Sequence, residues 1–476
     1  TFTFHGFLYV ELSYREQWEG RLRPLDRGSV TGLALMSATP ETGAFTCSDP
    51  LVNQLQANIQ WGQRGNFLEA PTDCPQRDER LGWTGDAQVF VSTAAFNMDV
   101  AAFFTKWTRD CDDAQRPAGQ LPSFVPRLHE QNDGGPGWSD ARVVCPWEIS
   151  LAYDDTRLLA RHYATMTRWI DWQASTPRDG ARCYDGCGYY QGYSDWLALD
   201  ATWQSRRGAT PLDLIGTAYF ARSAEIMRRI ATTLGHEADA ARFARMREEA
   251  VAGFNREFVT PAGRLSAQTQ TAHLMALAWD LLPESRRAAA FARLLDLLAE
   301  RDWHLSTGFL GTPLICPVLT RFGRVDLAYR VFGQRDYPGW LFPVGNGATT
   351  MWERWNSWTP EAGFGDAGMN SFNHYAYGAI GRWMYDTIAG LALDPARPGY
   401  KHVLVAPQPG GGLTHARASI RSLHGPIESG WALDGGDFRV DLLLPPNVTA
   451  TVTLPDGSVR EVAAGRHQFR CPGGAP

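Results

Sequence analysis

No stretch of this chain approaches the ~18 consecutive apolar residues of a membrane-spanning helix. The most apolar segment, residues 89–104, is broken by Ser92, Asn97 and Asp99 and fits a buried helix. Runs of Lys and Arg are missing too. The 51 acidic and 45 basic residues are scattered and leave a formal net charge of −6, which argues against nucleic acid and against an anionic membrane surface as partners. Cysteine is sparse and dispersed. Cys47, Cys74, Cys111, Cys145, Cys183, Cys187, Cys316 and Cys471 form no CxxC and have no neighbouring His pair, so neither a disulfide framework nor a zinc site is expected. Cys183 and Cys187 stand close enough to bridge within one loop, although free thiols are the favoured reading. HExxH, GxSxG and a phosphate-binding loop are all absent, which argues against metal-hydrolytic, acyl-transfer and nucleotide chemistry. No signal peptide is legible. The compartment is left open, with a slight lean to the cytoplasm. No internal repeat or low-complexity segment stands out, and the tail after Cys471 is expected to be disordered.

What the chain has in abundance is aromatic residues: 18 Trp, 15 Tyr and 23 Phe. Large cores use Trp, and sugar-binding clefts stack pyranose faces on it. Composition alone leaves these two uses level. At 476 residues the chain can bury a large core and hold two or three domains.

Periodicity divides the chain in three. Residues 1–45 alternate like strands, notably over 7–12 and 30–35, and suggest the end of an upstream β-domain. Ser48-Asp49-Pro50, with Leu51, Leu55 and Ile59 behind it, predicts a capped helix. Helical patterns follow at 85–108, 144–161, 211–234, 237–258, 267–282, 284–300, 324–332 and 370–391. Long loops rich in Gly, Pro, Trp and Asp separate them at 64–84, 115–143, 176–209, 302–322 and 335–369. Loops of such length usually carry function. The pattern suggests a mainly α chain with an (α/α)6 barrel over 46–394. Short alternating segments after Pro395 predict a C-terminal antiparallel β-sandwich over 395–476, with Asp456-Gly457 as a hairpin turn.

Three clusters could carry chemistry. Asp73-Cys-Pro-Gln-Arg77-Asp-Glu79-Arg-Leu-Gly-Trp83-Thr-Gly-Asp86 packs four carboxylates, two arginines and a Trp into fourteen residues. A salt-bridged surface loop is the plain account. Carboxylates crowded beside an aromatic, however, raise one another's pKa and keep an acid protonated near neutral pH. The second is Glu353, flanked by Trp352, Arg354, Trp355 and Trp358, for which a Glu–Arg pair at a helix end is the plain account. The third is Ser371-Phe-Asn-His374-Tyr-Ala-Tyr377. Glycoside hydrolysis needs two carboxyl groups across the scissile bond, and a helical barrel could bring residues 79 and 353 together on loops at the same end.

On the segment 73–86 the chain resembles the bacterial α-L-rhamnosidases of glycoside hydrolase family 78. Supporting stretches run in the same order: Gly137-Trp-Ser-Asp140, Ser194-Asp-Trp-Leu197, Ile215-Gly-Thr-Ala-Tyr-Phe220, Ser306-Thr-Gly-Phe-Leu-Gly-Thr312, Thr349-Thr-Met-Trp-Glu-Arg-Trp355 and Ser371-Phe-Asn-His-Tyr-Ala-Tyr-Gly378. The resemblance covers essentially the whole chain. It implies an (α/α)6 barrel with a small β-domain and a barrel-end cleft for a terminal L-rhamnose of a glycoside or oligosaccharide. Hydrolysis would proceed with inversion, with Glu79 as general acid and Glu353 as general base. Asp73, Arg77, Asp86 and His374 would reach sugar hydroxyls, and Trp83, Trp138 and Trp196 would wall the ring and its C6 methyl. No cofactor and no metal are implied. Members of the family carry β-domains before the barrel, and residues 1–45 resemble only the end of the last one. Two other readings stay open: an inverting glycosidase on the same barrel with another sugar specificity, and a carbohydrate-binding remnant without catalysis.

Overall fold

The carboxylate of Asp49 accepts the N–H of Leu51 at 2.8 Å and Pro50 fills the first turn, so helix α1 runs Pro50–Asn66 as the capping residues predict. The computed structural model describes residues 4–7, 9–11, 26, 28–128, 133–178, 180–182, 192–201 and 206–472. Cys183, Cys187, the chain after Pro472 and parts of the alternating segment 1–12 lie outside the described residues.

Among the described residues, eleven further helices follow: α2 (Thr84–Asn97), α3 (Ala101–Ala114), α4 (Ala141–Tyr153), α5 (Thr156–Ala174), α6 (Leu212–Thr233), α7 (Glu237–Phe258), α8 (Gln270–Ala278), α9 (Glu284–Ala299), α10 (Thr312–Arg321), α11 (Val325–Phe332) and the short α12 (Leu341–Gly345). The last helical stretch tightens into a 3-10 turn, Ala376–Ile380, and relaxes through Gly381–Trp383 into a π-helical segment, Met384–Ile388. Helix α2 packs on α4, α4 on α6, α6 on α8 and α8 on α10. Helix α10 packs on the 3-10 turn, which returns to α2 and closes the ring. Outside it, α3 packs on α4, α5 and α7 on α6, α9 on α8 and α11 on α10. Gln63 of α1 reaches the Ala94 carbonyl and Asn97 of α2. This is the (α/α)6 barrel.

The two rings differ in pattern because they differ in surroundings. Every residue of α2 except Val89 and Ser92 is buried, as is every residue of α8 except Ala278. Such helices are buried on nearly all sides and carry no periodic mark of their ends. Outer α7 buries only Phe243, Ala250, Gly253 and Phe254, and it spans the residues that its stripe predicts. The single helix expected over 85–108 is therefore two. The extended backbone of Met98 breaks it, and the Asp99 carboxylate accepts the N–H of Ala101 to start α3. The helix expected over 144–161 breaks at Asp154, whose φ of 53° is left-handed, and Asp155 caps α5. Helix α10 occupies the loop expected over 302–322, where Pro313 sits harmlessly in a first turn. Conversely, 370–375 is not helical, and the expected helix over 370–391 begins only at Ala376.

Among the described residues, nine strands are longer than two residues: β1 (Gly43–Cys47), β2 (Leu391–Leu393), β3 (His402–Val405), β4 (His415–Ser422), β5 (Gly425–Asp434), β6 (Asp437–Leu444), β7 (Thr449–Thr453), β8 (Val459–Val462) and β9 (Gly465–Pro472). They form two sheets, ordered β1-β4-β5-β6-β9 and β8-β7-β3-β2. The expectation of a purely antiparallel sandwich needs one correction: β3 and β7 pair in parallel, Ala450 opposite Val403. Three strands of the other sheet lie between them in sequence, which is the crossover a parallel pair requires. Asp456 and Gly457 turn β7 into β8, Gly457 with a φ of 83°. Trp431 of β5 donates its indole N–H to the Ile388 carbonyl at 2.6 Å and ties the sheet to the barrel.

The N-terminal β contribution expected over 1–45 amounts, among the described residues, to β1. That strand is paired with the C-terminal sheet. Phe45 and Cys47 are buried and β1 pairs along β4, so it forms the edge of the C-terminal sheet. The strands expected over 7–12 and 30–35 are not found among the described residues there, and Tyr9 is 90% and Leu33 82% exposed. Alternation makes a strand only where a partner strand takes up its N–H and C=O groups. Among the described residues, no helix is long and apolar enough to cross a membrane.

Candidate active site

The fourteen-residue motif becomes a tight loop leading into α2. The Asp73 N–H donates to the Leu81 carbonyl, and the Leu81 N–H donates back to the Asp73 carboxylate, both at 2.9 Å. Between them Arg80 adopts a left-handed φ of 49°, and its Nε donates to the Arg77 carbonyl at 3.0 Å. Asp86 lies in the first turn of α2, fully buried, where the helix N-terminus favours a carboxylate. Gly85 is required by its neighbour, because a Cβ there would stand 2.6 Å from the Trp138 ring.

Glu353 comes from the far side of the barrel. Its N–H donates to the Ser371 carbonyl and the His374 N–H to the Met351 carbonyl, each at 2.8 Å. This short ladder aims Glu353 and His374 at the loop of α2. Arg77 joins the two halves. Its Nη1 donates to Glu353 Oε2 at 3.2 Å and its Nη2 to Glu353 Oε1 at 3.3 Å, while Nη2 also pairs with Glu79. Asp73 lies 3.6 Å from the same nitrogen. The partner of Glu353 is thus Arg77, 276 residues away, and not the adjacent Arg354. Glu79 also accepts the indole N–H of Trp83 at 2.8 Å.

These groups line one cleft of about 220 Å³. Asp73, Glu79, Asp86, Glu353 and His374 supply its polar side, and Trp83, Trp138, Tyr193, Trp196, Phe309 and Met369 its apolar side. Arg77 is bound to the carboxylates behind that surface. All nine sequence-nominated residues are therefore brought together. Tyr193, Phe309 and Met369 were not nominated. Tyr193 stands edge-on to Trp83 at 5.2 Å and is tilted against Trp138 at 5.0 Å, so it joins the tryptophans into one wall. It directly precedes Ser194-Asp195-Trp196, and Phe309 lies inside the stretch 306–312, so both were within reach of the sequence reading. The tryptophans beside Glu353 serve packing instead: Trp355 stacks on Tyr377 at 4.0 Å and Trp352 meets Phe372 edge-on.

Buried polar groups hold the wall in place. The Asp195 carboxylate accepts the N–H groups of Gly308, Leu310 and Gly311 at 2.8, 2.8 and 3.2 Å and the hydroxyl of Thr271. It thereby fixes Phe309 against Trp196. Asp140 accepts from Gly137 at 2.9 Å, from Gln173 at 2.9 Å and from Ser223 at 2.7 Å, and so fixes the turn that carries Trp138.

The electrostatics follow from three carboxylates around one guanidinium, with Asp86 buried beside them. Burial raises Asp86 well above the usual carboxylate range, and the charge of Asp73 adds to it. Asp73 is raised by burial and then by the charge of Glu79. Burial also raises Glu353, against the opposing pull of Arg77. The site therefore retains protons that isolated carboxylates would lose. Burial pushes His374 down to about 3. Its Nδ1 accepts the N–H groups of Tyr375 and Ala376 at 3.0 and 3.3 Å, so the neutral ring carries its proton on Nε2, 3.2 Å from Asp86 Oδ1. The contact lacks hydrogen-bond geometry, and Asp86 Oδ1 is a buried acceptor without a partner. Asp73, Cys74 and Glu79 could each turn one ligand atom toward a cation. The set suits one poorly: burial holds Cys74 as a thiol, and Arg77 already supplies the positive charge.

Residues 40–388 match the model of the bacterial alpha-L-rhamnosidase 6 hairpin glycosidase domain, and residues 390–469 that of the bacterial alpha-L-rhamnosidase C-terminal domain. An alpha-L-rhamnosidase of Streptomyces avermitilis is 43% identical over 98% of this chain and 45% of its own length. One from Formosa agariphila is 39% identical over 98% of this chain and 49% of its own. The crystal structure of the Streptomyces avermitilis alpha-L-rhamnosidase complexed with L-rhamnose superposes with a TM-score of 0.86 at 42% identity, over 92% of this chain and 43% of that one. The native alpha-L-rhamnosidase of Aspergillus terreus gives 0.88 at 34% identity, over 94% and 52%. The chain spans about half the length of the curated relatives it matches.

Proposed function

Because the chain belongs to the bacterial alpha-L-rhamnosidase six-hairpin glycosidase family, we propose that it removes terminal, non-reducing α-L-rhamnose from rhamnosides by single-displacement hydrolysis with inversion. The observation that carries this reading is the meeting of Glu79 and Glu353, from opposite sides of the barrel, in one cleft with an aromatic wall. With it goes a division of labour along the chain: residues 46–394 perform catalysis and residues 395–476 form an accessory β-domain.

Glu79 acts as the general acid. Its carboxyl sits on the cleft surface, oriented by the Trp83 indole, and protonates the leaving glycosidic oxygen. Glu353 is the general base. It is held by Arg77 and by the ladder to Ser371, and it takes a proton from the water that attacks the anomeric carbon from the other ring face. As the oxocarbenium-like transition state gains positive charge, the surrounding carboxylates stabilise it. Asp86 Oδ1, the buried acceptor without a partner, takes a sugar hydroxyl, and the Nε2–H of His374 offers a donor beside it. Asp73 binds hydroxyls at the cleft floor. Arg77, already occupied by carboxylates, sets the field and the geometry more than it binds sugar. Trp83, Trp138 and Trp196 meet the ring face and the C6 methyl.

An apolar wall prefers a methyl at C6 to a hydroxymethyl. The expected kcat/KM for an aryl α-L-rhamnoside exceeds that for the matching aryl α-L-mannoside by about 10–200-fold, the range one such group supports in an apolar pocket. Comparable values would place the specificity elsewhere. No release from either glycoside would favour a carbohydrate-binding protein without catalysis.

A further inference from the structure

The turn that carries Glu79 is braced from outside the barrel. The guanidinium of Arg80 lies over the ring of Phe4, 4.7 Å from its centroid. Two residues later in the chain Gly6 lies flat against Gln76, so that a Cβ on Gly6 would stand 2.9 Å from the Gln76 Cβ and 3.2 Å from its Cα. Phe4 and Gly6 thus touch the two ends of the five-residue turn 76–80, which holds Arg77 and Glu79 between them. Each contact leads on to the acid–base pair. Arg80 donates through Nε to the Arg77 carbonyl at 3.0 Å, and Arg77 bridges Glu79 and Glu353. Gln76 Oε1 accepts the Ser371 hydroxyl at 3.1 Å, and the Ser371 carbonyl accepts the N–H of Glu353 at 2.8 Å.

The turn closes on itself through Asp73 and Leu81, yet it carries strain at Arg80. Arg80 occupies the left-handed region without being glycine, a conformation that costs free energy and persists only where neighbours over-determine it. A guanidinium on an aromatic face is one such neighbour. We propose that Phe4 and Gly6 are positioning residues for the acid–base pair: by clamping Arg80 and Gln76 they set where the turn presents Glu79 and how Arg77 spans to Glu353. The inference rests on the hydrolase reading above. It adds that residues remote in sequence from the barrel govern its catalytic rate while contributing nothing to the cleft wall.

The test is a double-mutant cycle of Phe4→Ala and Arg80→Gln, with Phe4→Tyr as the conservative variant and Gly6→Ala as an independent disturbance of Gln76. Two readouts are taken: kcat and KM for an aryl α-L-rhamnoside, and the 15N–H resonance of the Trp83 indole, which reports its bond to Glu79. Phe4→Ala is expected to lower kcat about tenfold with KM within about twofold, since small displacements of a catalytic group are costly in rate. The double variant should be little worse than Arg80→Gln, because contacting residues are non-additive. The Trp83 resonance should move in Phe4→Ala and in Gly6→Ala and return in Phe4→Tyr. Unchanged kcat with an unmoved resonance in Phe4→Ala overturns the proposal, as does full additivity in the cycle. If the parent protein releases no aglycone, the hydrolase reading fails by itself, and the Trp83 resonance still decides whether Phe4 positions the turn.

Discussion

Glu79→Gln is expected to reduce kcat for a rhamnoside with a poor leaving group by about 10³-fold, within the 10²–10⁴ that a positioned general acid contributes. The amide still accepts the Trp83 indole N–H and still faces Arg77, so the cleft keeps its shape and rhamnose continues to bind. What it cannot do is deliver a proton to the departing oxygen. The loss should therefore shrink as the leaving group improves, because an aryl oxygen of low basicity departs with little help. A panel of aryl rhamnosides of graded leaving-group pKa reads this directly. A Glu79→Gln protein with parental kcat across that panel would remove Glu79 from the role of acid.

Glu353→Gln is expected to cost at least as much, with the opposite signature. Activation of water is needed whatever the aglycone, so the loss should stay near-constant across the same panel. The pH dependence separates the roles further. Burial raises the Glu353 carboxyl despite the pull of Arg77. A base works only when ionised, so the parental rate should fall as pH drops through a point above the ordinary glutamate value, and that limb should vanish from the residual activity of Glu353→Gln. A small anionic nucleophile that needs no deprotonation should restore part of the rate in this variant and not in Glu79→Gln. Equal rescue in both would contradict the assignment.

The Glu79 half of the candidate site was legible as a cluster in the sequence because it is local. Fourteen residues hold Asp73, Arg77, Glu79, Trp83 and Asp86, and the loop closes on itself through Asp73 and Leu81. The Glu353 half was legible only as an oddity. Glu353 stood among tryptophans, but its true partner, Arg77, lies 276 residues away, and no spacing rule connects them. The same limit applied to the aromatic wall. Trp352, Trp355 and Trp358 advertise themselves beside Glu353, yet Trp355 and Trp352 pack against Tyr377 and Phe372, while Tyr193 closes the wall. Outer helices such as α7 declared their limits through one apolar stripe. Inner helices such as α2 did not, because a helix buried on all sides has no polar face to end. The pairing of strand β1 was not legible for a related reason: alternation shows that a segment pairs, not which strand it pairs with, and here the partner, β4, comes some 370 residues later.

The central claim concerns two carboxyl groups acting on opposite faces of the sugar. Inverting pairs stand about 6.5–9.5 Å apart to admit water, and retaining pairs about 5–5.5 Å. Here one guanidinium nitrogen serves both Glu79 and Glu353, so their nearest oxygens lie closer than the inverting range. Inversion then requires Glu353 to hold its water on the cleft side, away from Arg77. The stereochemistry of the first-formed product is consequently the most direct measurement. Proton NMR during hydrolysis of an aryl α-L-rhamnoside should show β-L-rhamnose first, with the α anomer appearing only at the rate of mutarotation. The α anomer as first product would contradict the account and make one of the two carboxylates a nucleophile.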